Sequence, residues 1–225
     1  MGNITIPQIY DNGQIVLYNG DCMNVLEYID DDSVDLILTD PPYGIAYKSN
    51  HYKYEWSKRH DAIENDDVLF LPVDELWPKI KVTGSMFAFY SYKNALIDTR
   101  KKNSIIWVKN NWTAGDLKGD FGNQYENIAF MPKPEFKLRG PRWSNVWMFD
   151  RVKSAIHPTE KPVELLKRII LSATDEGDLV FDPFAGSGST LEACKLTGRR
   201  CVGVELNESY CEHIISRLRQ EVLGI

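Results

Sequence analysis

Short apolar runs alternate with amphipathic segments along most of this chain of 225 residues. Such alternation is typical of an α/β fold in which helices cover both faces of a mostly parallel sheet. The apolar runs at 34–38 and 179–182 indicate buried strands. Together with the other apolar runs they predict seven strands, at 14–18, 34–38, 85–90, 104–109, 125–131, 179–182 and 201–205.

The amphipathic segments predict the helices of this fold. Apolar residues recur at helical spacing after Thr159, which we expect to cap a helix that has Pro162 in its first turn. Asn207 is the expected N-cap of the last helix. Further helices are predicted at 23–29, 69–81 and 190–196. The stretch 179–205 is therefore a βαβ unit.

The composition is that of one globular domain spanning residues 1–225. With 43% apolar residues, a chain of this length can bury a full core. No apolar stretch comes close to 18 residues, so we expect no membrane-spanning helix. The four cysteines show no CxxC spacing, which favours reduced side chains in a cytoplasmic protein.

The net charge of -6 argues against indiscriminate binding to nucleic acid, but basic residues are concentrated in two segments. Segments 48–59 and 133–153 both carry an excess of Lys and Arg interleaved with aromatic residues. Basic groups neutralise phosphates and aromatic faces stack on bases, although solvated loops would have the same composition. The candidates for contact with nucleic acid are Lys48, Lys53, Arg139, Arg142, Trp143 and Arg151.

A Gly-rich turn follows the strand at 179–182 and leads into a helix. Gly186 and Gly188 allow close approach of the backbone to a ligand, and N–H groups at a helix start point toward it. The spacing does not match G-x-G-x-x-G, so a dinucleotide site is disfavoured. Glu205 ends the next strand, where an acidic residue can accept hydrogen bonds from ribose hydroxyls. The turn and Glu205 together predict a nucleoside cofactor.

A second unusual turn follows the strand at 34–38. Asp40 lies where ligands bind in open α/β sheets, and it precedes Pro41, Pro42 and Tyr43. The Asp40 carboxylate and the Pro41 carbonyl can accept the two N–H groups of an exocyclic amino group. Pro42 stiffens the turn, and Tyr43 can stack on a base. A base inside a duplex must first be flipped out to reach this turn.

The two turns, in this chain order, resemble motifs IV and I of the β group of S-adenosylmethionine-dependent DNA amino-methyltransferases. Residues 157–162 (His-Pro-Thr-Glu-Lys-Pro) resemble motif X of the same family, and residues 20–22, 63–66 and 107–109 also fit its pattern. The resemblance implies a Rossmann-like methyltransferase fold with a mostly parallel seven-stranded sheet. It further implies S-adenosylmethionine as cofactor, DNA as partner, and the cytoplasm of a prokaryotic or phage-infected cell as the location.

Carried onto this chain, the family pattern implies a role for each motif residue. Asp40, Pro41, Pro42 and Tyr43 would hold the target base. Asp21 and Cys22 would read the adenine edge of the cofactor, although Asp21 also fits a helix N-cap. Thr159 and Lys161 would contact the cofactor carboxylate. The remaining cofactor-binding residues would be Asp182, Phe184, Ala185, Gly186, Ser187, Gly188 and Glu205.

The resemblance implies direct transfer of a methyl group to the N6 amino group of adenine, because Asp rather than Ser stands at position 40. Methylation of cytosine N4 is the alternative. A protein glutamine methyltransferase would carry Asn before the Pro-Pro-Tyr turn and the cofactor motif first. A non-catalytic DNA-binding or regulatory protein on the same fold is the alternative from another class. The transfer needs no metal, so we expect no metal site.

Residues 132–156 stand where the family usually has a target-recognition domain. Base-specific recognition needs several side chains that reach groove edges, and this region is short for that task. We therefore expect an abbreviated target-recognition region inside the catalytic domain. Enzymes of the β group often pair, and so a homodimer is a further expectation.

Overall fold

The computed structural model describes residues 7–42, 70–91, 98–111, 121–152 and 160–220. Within these ranges nine strands form one sheet. In chain order they are β1 (Gln8–Asp11), β2 (Ile15–Asn19), β3 (Val34–Thr39), β4 (Ile80–Tyr90), β5 (Asn103–Lys109), β6 (Tyr125–Pro132), β7 (Val146–Phe149), β8 (Leu179–Asp182) and β9 (Arg200–Glu205).

The sheet is mostly parallel, as predicted. The strand order is β1-β2-β9-β8-β3-β4-β6-β5-β7. The five strands from β2 to β4 in this order are parallel, whereas β1 and β6 run antiparallel to their neighbours. Because β6 is antiparallel to both β4 and β5, β5 and β7 point the same way as the central strands. The carboxyl ends of seven strands therefore share one edge.

Helices cover both faces of this sheet. One face packs against α3 (Val163–Ala173), α4 (Ser189–Thr197) and α5 (Glu208–Arg219), and the other against α1 (Cys22–Val25) and α2 (Val73–Leu76). Short 3₁₀ turns extend α1 at Leu26–Tyr28 and α2 at Trp77–Lys79. Because side chains alternate along a strand, Leu36 and Leu38 enter one core while Ile37 enters the other.

The prediction of seven strands is wrong in number, because the described sheet also contains β1 and β7 at its two edges. Both edge strands are only four residues long; β1 is mostly exposed, whereas β7 buries Trp147 and exposes Val146 and Met148. The apolar signal is weak in β1 (Gln-Ile-Tyr-Asp), whereas β7 (Val-Trp-Met-Phe) is an apolar run inside the segment that we assigned to target recognition. Strand β7 lies inside the 132–156 region and pairs in parallel with β5, so part of this region belongs to the main sheet.

Two helix predictions are also wrong in detail. In its described part, residues 70–81, the predicted helix 69–81 is only the single turn Val73–Leu76 and the 3₁₀ turn Trp77–Lys79 before β4 begins at Ile80. Pro78 lacks the N–H that a continuing helix needs. Helix α3 begins after Pro162, whose extended backbone makes it the N-cap in place of Thr159. The Asn207 cap is confirmed, since its side chain accepts hydrogen bonds from the N–H groups of Ser209 and Tyr210.

Candidate active site

Three acidic residues lie at the carboxyl ends of neighbouring strands in the centre of the sheet. Asp182 ends β8 and Glu205 ends β9, while Asp40 follows β3 directly. Strands β3 and β8 pair in register with Ile37 beside Phe181, which brings the ends of the two strands together. Open α/β sheets bind ligands at this edge. The fold thus brings together two motifs that are about 140 residues apart in the chain.

The Asp182 side chain is deeply buried, with 2% of its surface exposed. Burial raises the pKa of this carboxyl to about 7, and the charges of Asp40 and Glu205 act in the same direction. Hydrogen bonds from the Thr190 side chain and the Phe184 N–H, at 3.1 Å for the latter, act against the rise. A strand-end carboxylate with a raised pKa is a marker of functional sites.

The Gly-rich turn is bound tightly to the end of β9. The Gly186 N–H donates to Glu205 Oε2 at 2.8 Å, and the Asn207 N–H donates to Glu205 Oε1 at 2.8 Å. Gly186 has a φ of +53°, and a Cβ built on it would meet no atom within 4 Å. Open space therefore lies over the turn beside two carboxylates. This arrangement fits a cofactor that carries positive charge and ribose hydroxyls.

Asp21 and Cys22 lie at the end of β2, next to β9. Asp21 caps α1 by accepting a hydrogen bond from the Met23 N–H at 2.9 Å, so the capping role is confirmed. The N–H of Gly20 donates to the carbonyl of Glu205 at 3.0 Å and fixes this segment beside the Gly-rich turn. Burial raises the pKa of the Cys22 thiol to about 12, which disfavours a nucleophilic thiolate.

The Asp40 carboxylate forms an ion pair with the ammonium group of Lys161. Lys161 Nζ also lies 3.4 Å from Glu126 Oε2, and Lys109 Nζ lies 2.6 Å from Glu126 Oε1. The family resemblance implied that Lys161 contacts the cofactor carboxylate, and no role was assigned to Glu126. The signal that was available for Glu126 is an acidic residue near the start of a mostly apolar strand. The cofactor contact of Lys161 stays a prediction.

Phe70 contacts both the turn after β3 and the Gly-rich turn after β8. The Phe70 N–H donates to the carbonyl of Pro42 at 3.5 Å. The Phe70 ring meets the Phe184 ring edge-to-face, with centroids 6.1 Å apart. Phe70 is 41% exposed, and so this apolar pair borders the open side of the site. It provides a surface on which a planar ring can pack.

Arg217 of α5 contacts the Gly-rich turn through the backbone of that turn. Its guanidinium donates to the Ser187 carbonyl at 3.3 Å and to Glu160 Oε1 at 2.8 Å, and it also pairs with Glu192. Glu160 directly precedes Lys161 in the chain. The Arg217 side chain therefore links the turn at the end of β8 to the segment that contacts Asp40.

The predicted DNA contacts fall at different edges of the sheet. The backbone of Arg139 binds the end of α3 through Ser172, and its Nε donates to Asp175 at 3.3 Å near the start of β8. Arg151 instead follows β7, near the edge that carries Asp40. Its Nε donates to the Asn111 carbonyl at 3.1 Å.

Trp143 is 49% exposed, and the Arg168 guanidinium lies 4.7 Å from its ring centroid. Arg142 is exposed as well. Four of the predicted site residues lie outside the described ranges, namely Tyr43, Lys48, Lys53 and Thr159.

Two kinds of feature are absent from the described ranges. None of the helices in these ranges is long and apolar enough to cross a membrane. Among the same residues no group of three or more His, Cys, Asp or Glu side chains is arranged to hold a metal ion.

Comparison with known proteins gives consistent similarities. Residues 34–216 match the N6/N4 methyltransferase family model, which is described as DNA methylase. DNA adenine methyltransferase YhdJ of Escherichia coli (strain K12) is 31% identical over an alignment of length 257 that covers 94% of this chain and 85% of that protein. Type II methyltransferase M2.DpnII of Streptococcus pneumoniae is 30% identical over an alignment of length 255 that covers 98% of this chain and 95% of that protein.

A solved structure shows the same architecture. The M1.HpyAVI–SAM complex superposes with a TM-score of 0.67 at 25% identity. The superposition covers 90% of this chain and 99% of that chain.

Proposed function

The chain belongs to the N6/N4 DNA methylase family, and from this premise we propose that it methylates the N6 amino group of adenine at specific sites in DNA. The observation that carries the proposal is the position of Asp40-Pro41-Pro42 beside Asp182 and the Gly-rich turn on one edge of the sheet. The family membership confirms the predicted Rossmann-like methyltransferase fold and S-adenosylmethionine as the cofactor.

The amino-group side of the site consists of Asp40 and Pro41. The lone pair of an exocyclic amino nitrogen is delocalised into the ring, which makes this nitrogen a weak nucleophile. The Asp40 carboxylate and the Pro41 carbonyl accept its two N–H groups, which favours a pyramidal nitrogen with an available lone pair. Pro42 fixes the turn, and Tyr43 stacks on the flipped base. The enzyme thus acts through positioning and electrostatics.

The cofactor side consists of residues from three strand ends. S-adenosylmethionine supplies an electrophilic methyl group when it is bound. Asp182 is suited to the cationic amino end of this molecule, and Glu205 to its ribose. Gly186 keeps the turn open, with Phe184, Ala185, Ser187 and Gly188 around it. Asp21 and Cys22 lie at the adenine side.

Adenine is the proposed base for two reasons. Asp stands at position 40, which is the choice that resembles adenine-N6 enzymes. YhdJ, which is 31% identical, bears the name DNA adenine methyltransferase. DNA is then the partner, and the cytoplasm of a prokaryotic or phage-infected cell is the proposed place of action. A homodimer, and recognition of the target by residues 132–156, stay predictions.

The product of the reaction tests this proposal. The protein is incubated with duplex DNA and S-adenosylmethionine labelled in the methyl group, and the DNA is digested to nucleosides. We expect labelled N6-methyladenine, and sequencing of the modified positions then gives the target site. N4-methylcytosine as the only product would replace the proposed base. An absence of product together with an absence of cofactor binding in calorimetry would support a non-catalytic protein.

A substitution of Asp40 tests the assignment of the site. Asp40→Ala should lower the methylation rate by at least about 10³-fold, because the amino nitrogen loses its acceptor and its position. Binding of S-adenosylmethionine should change little. Asp31→Ala is the matched control, since this exposed carboxylate lies before β3 at the opposite edge of the sheet. A near-normal rate for Asp40→Ala would refute the assignment.

A further inference from the structure

We propose that Lys161 is a positioning residue that orients the Asp40 carboxylate and keeps it ionised, and that Glu126 and Lys109 hold Lys161 in place for this task. The inference rests on the proposed function, because it names the support of the group that receives the amino nitrogen. It differs from the role at the cofactor carboxylate that the family pattern implies for Lys161.

The geometry gives Lys161 one defined location. Only 5% of its surface is exposed, although a lysine ammonium normally reaches solvent. Its Nζ is bound to Asp40 Oδ2 and lies 3.4 Å from Glu126 Oε2. The Phe89 ring lies beneath it, with 5.0 Å between Nζ and the ring centroid. The ammonium is therefore held between two carboxylates and an aromatic face.

The network is balanced in charge. Two carboxylates, of Asp40 and Glu126, alternate with two ammonium groups, of Lys161 and Lys109. Lys109 Nζ lies 2.6 Å from Glu126 Oε1, so each member contacts an opposite charge. The four residues come from the end of β3, the segment before α3, and strands β5 and β6. A site assembled from four separate segments fixes the Asp40 side chain more firmly than a mobile surface pair does.

The protonation states agree with this arrangement. Burial alone would lower the pKa of Lys161, but Asp40 and Glu126 outweigh it and hold the pKa above its usual range. Burial alone would raise the pKa of Glu126, but Lys161 and Lys109 hold it below its usual range. Lys161 is thus a cation and Glu126 an anion at neutral pH.

Asp40 needs this support because of its neighbour on β8. The Asp182 carboxyl is close enough for the Asp40 charge to raise its pKa, and two neighbouring carboxylates disfavour each other's ionised forms. A protonated Asp40 would present one oxygen as a donor and lose an acceptor for the amino group. The Lys161 charge opposes that protonation. Its bond to Oδ2 also fixes the plane of the carboxylate.

Lys161→Met tests the proposal, because the Met side chain is similar in length to that of Lys and carries no charge. The methylation rate is measured in single turnovers at saturating S-adenosylmethionine from pH 5 to pH 9. We expect a rate about 10²-fold lower at neutral pH. We also expect the acid limb of the profile to move to higher pH by about one unit or more. The dissociation constant of S-adenosylmethionine, from calorimetry, should stay within about twofold.

Glu126→Gln provides the opposite perturbation and a second test if Lys161→Met is unstable. Removal of the second anion leaves the Lys161 charge to Asp40 alone, so the acid limb should move to lower pH. A merely structural network would not give shifts of opposite sign. A weaker affinity for S-adenosylmethionine with an unchanged saturated rate in Lys161→Met would return Lys161 to the cofactor and overturn the inference.

The wild-type reaction separates this test from the test of the proposed function. If the wild-type protein forms no methylated base, the proposed function fails. If the wild-type protein is active and its pH profile coincides with those of Lys161→Met and Glu126→Gln, the role of Lys161 fails alone.

Discussion

Asp182 shows how one buried carboxyl can couple cofactor binding to pH. Its pKa of about 7 is set by burial at the end of β8. S-adenosylmethionine carries positive charge, so it favours the ionised form of this carboxyl. The neutral form dominates below pH 7 and has no such attraction. Cofactor affinity should therefore increase as the pH rises through about 7.

The titration of Asp182 predicts a change of about tenfold in the affinity for S-adenosylmethionine. The dissociation constant of S-adenosylmethionine should be about tenfold higher at pH 6 than well above the pKa, as expected for one linked proton. Asp182→Asn should remove this dependence, and it controls for any titration of the cofactor itself. Calorimetry at a series of pH values provides the measurement. A wild-type profile parallel to that of the variant would contradict the role of Asp182.

The same shift has a consequence for the stability of the cofactor-free protein. Because the folded pKa of Asp182 is raised from 3.8 to about 7, this group stabilises the fold at acid pH. That contribution is lost as the pH rises through about 7. Asp182→Asn should therefore increase the thermal midpoint above pH 7 and increase it less at pH 5. Thermal unfolding without cofactor at the two pH values checks the sign.

The sequence predicted the positions of some site residues but not the contacts between them. Asp40 and Glu205 could be assigned from their positions after apolar runs, because a strand end fixes where a side chain lies. The partner of Asp40 could not. Lys161 lies 121 residues further along the chain, and its contact depends on the packing of α3 against the sheet.

At the scale of elements, the Gly-rich turn combines two glycines that serve different purposes. Both have positive φ values, +53° at Gly186 and +80° at Gly188. A Cβ on Gly188 would lie 2.8 Å from Cγ1 of Ile214 in α5, whereas a Cβ on Gly186 would meet nothing within 4 Å. Gly188 thus allows α4 and α5 to pack. Gly186 keeps open the space proposed for the cofactor.

Alanine substitutions should separate these two purposes. Gly188→Ala should cost about 2–4 kcal/mol of unfolding free energy, the sum of a left-handed backbone and a steric overlap. Gly186→Ala should cost only about 1 kcal/mol but weaken binding of S-adenosylmethionine at least about tenfold. Denaturant unfolding and calorimetry measure the two effects. Equal affinity of Gly186→Ala and wild type would show that the turn does not border the cofactor.

Gly177→Ala is the matched control for both variants. Gly177 has a φ of +81° and open space around the position of a Cβ. It precedes β8, at the other end of this strand from the cofactor turn. Its alanine variant should show the backbone cost of about 1 kcal/mol and normal affinity for the cofactor.

The elements that the sequence predicted well are those buried on both faces. Strand β3 is buried at every position, and its apolar run identified it. The edge strand β1 escaped prediction because it is short and has no apolar run. Strand β7 is a run of four apolar residues, but it lies inside the segment that we assigned to target recognition. The 69–81 segment failed for another reason. Its apolar residues pack as a single helical turn and the start of β4, and periodicity alone does not distinguish these.

At the scale of the whole molecule, the sheet order explains why two distant motifs form one site. Strands β3 and β8 are neighbours although four other strands lie between them in the chain. The motif order could be read from the sequence, but the orientation of the DNA-contact candidates could not. Their placement depends on β7, which pairs with β5 and carries residues 146–149 to the outer end of the sheet.

This placement predicts that Arg151 and Arg139 differ in their contribution to DNA binding. Strand β7 ends at the edge that carries Asp40, so Arg151 lies where a duplex with a flipped base must approach. Arg139 contacts Ser172 and Asp175 at the carboxyl end of α3, near the start of β8 and away from Asp40. Arg151→Ala should weaken DNA binding across all sequences and reduce the salt dependence by about one phosphate contact. Arg139→Ala should leave both unchanged.

The two variants control for each other, since each removes one arginine from the same region and one side chain–backbone contact. Arg151 donates to the carbonyl of Asn111, and Arg139 donates to that of Lys137. Fluorescence anisotropy with labelled duplex at several salt concentrations measures affinity and salt slope. Thermal midpoints and cofactor affinity show that each variant is folded. If Arg139→Ala lost affinity and Arg151→Ala did not, DNA would have to reach the protein from the edge opposite Asp40. The flipped base could then not enter the proposed site.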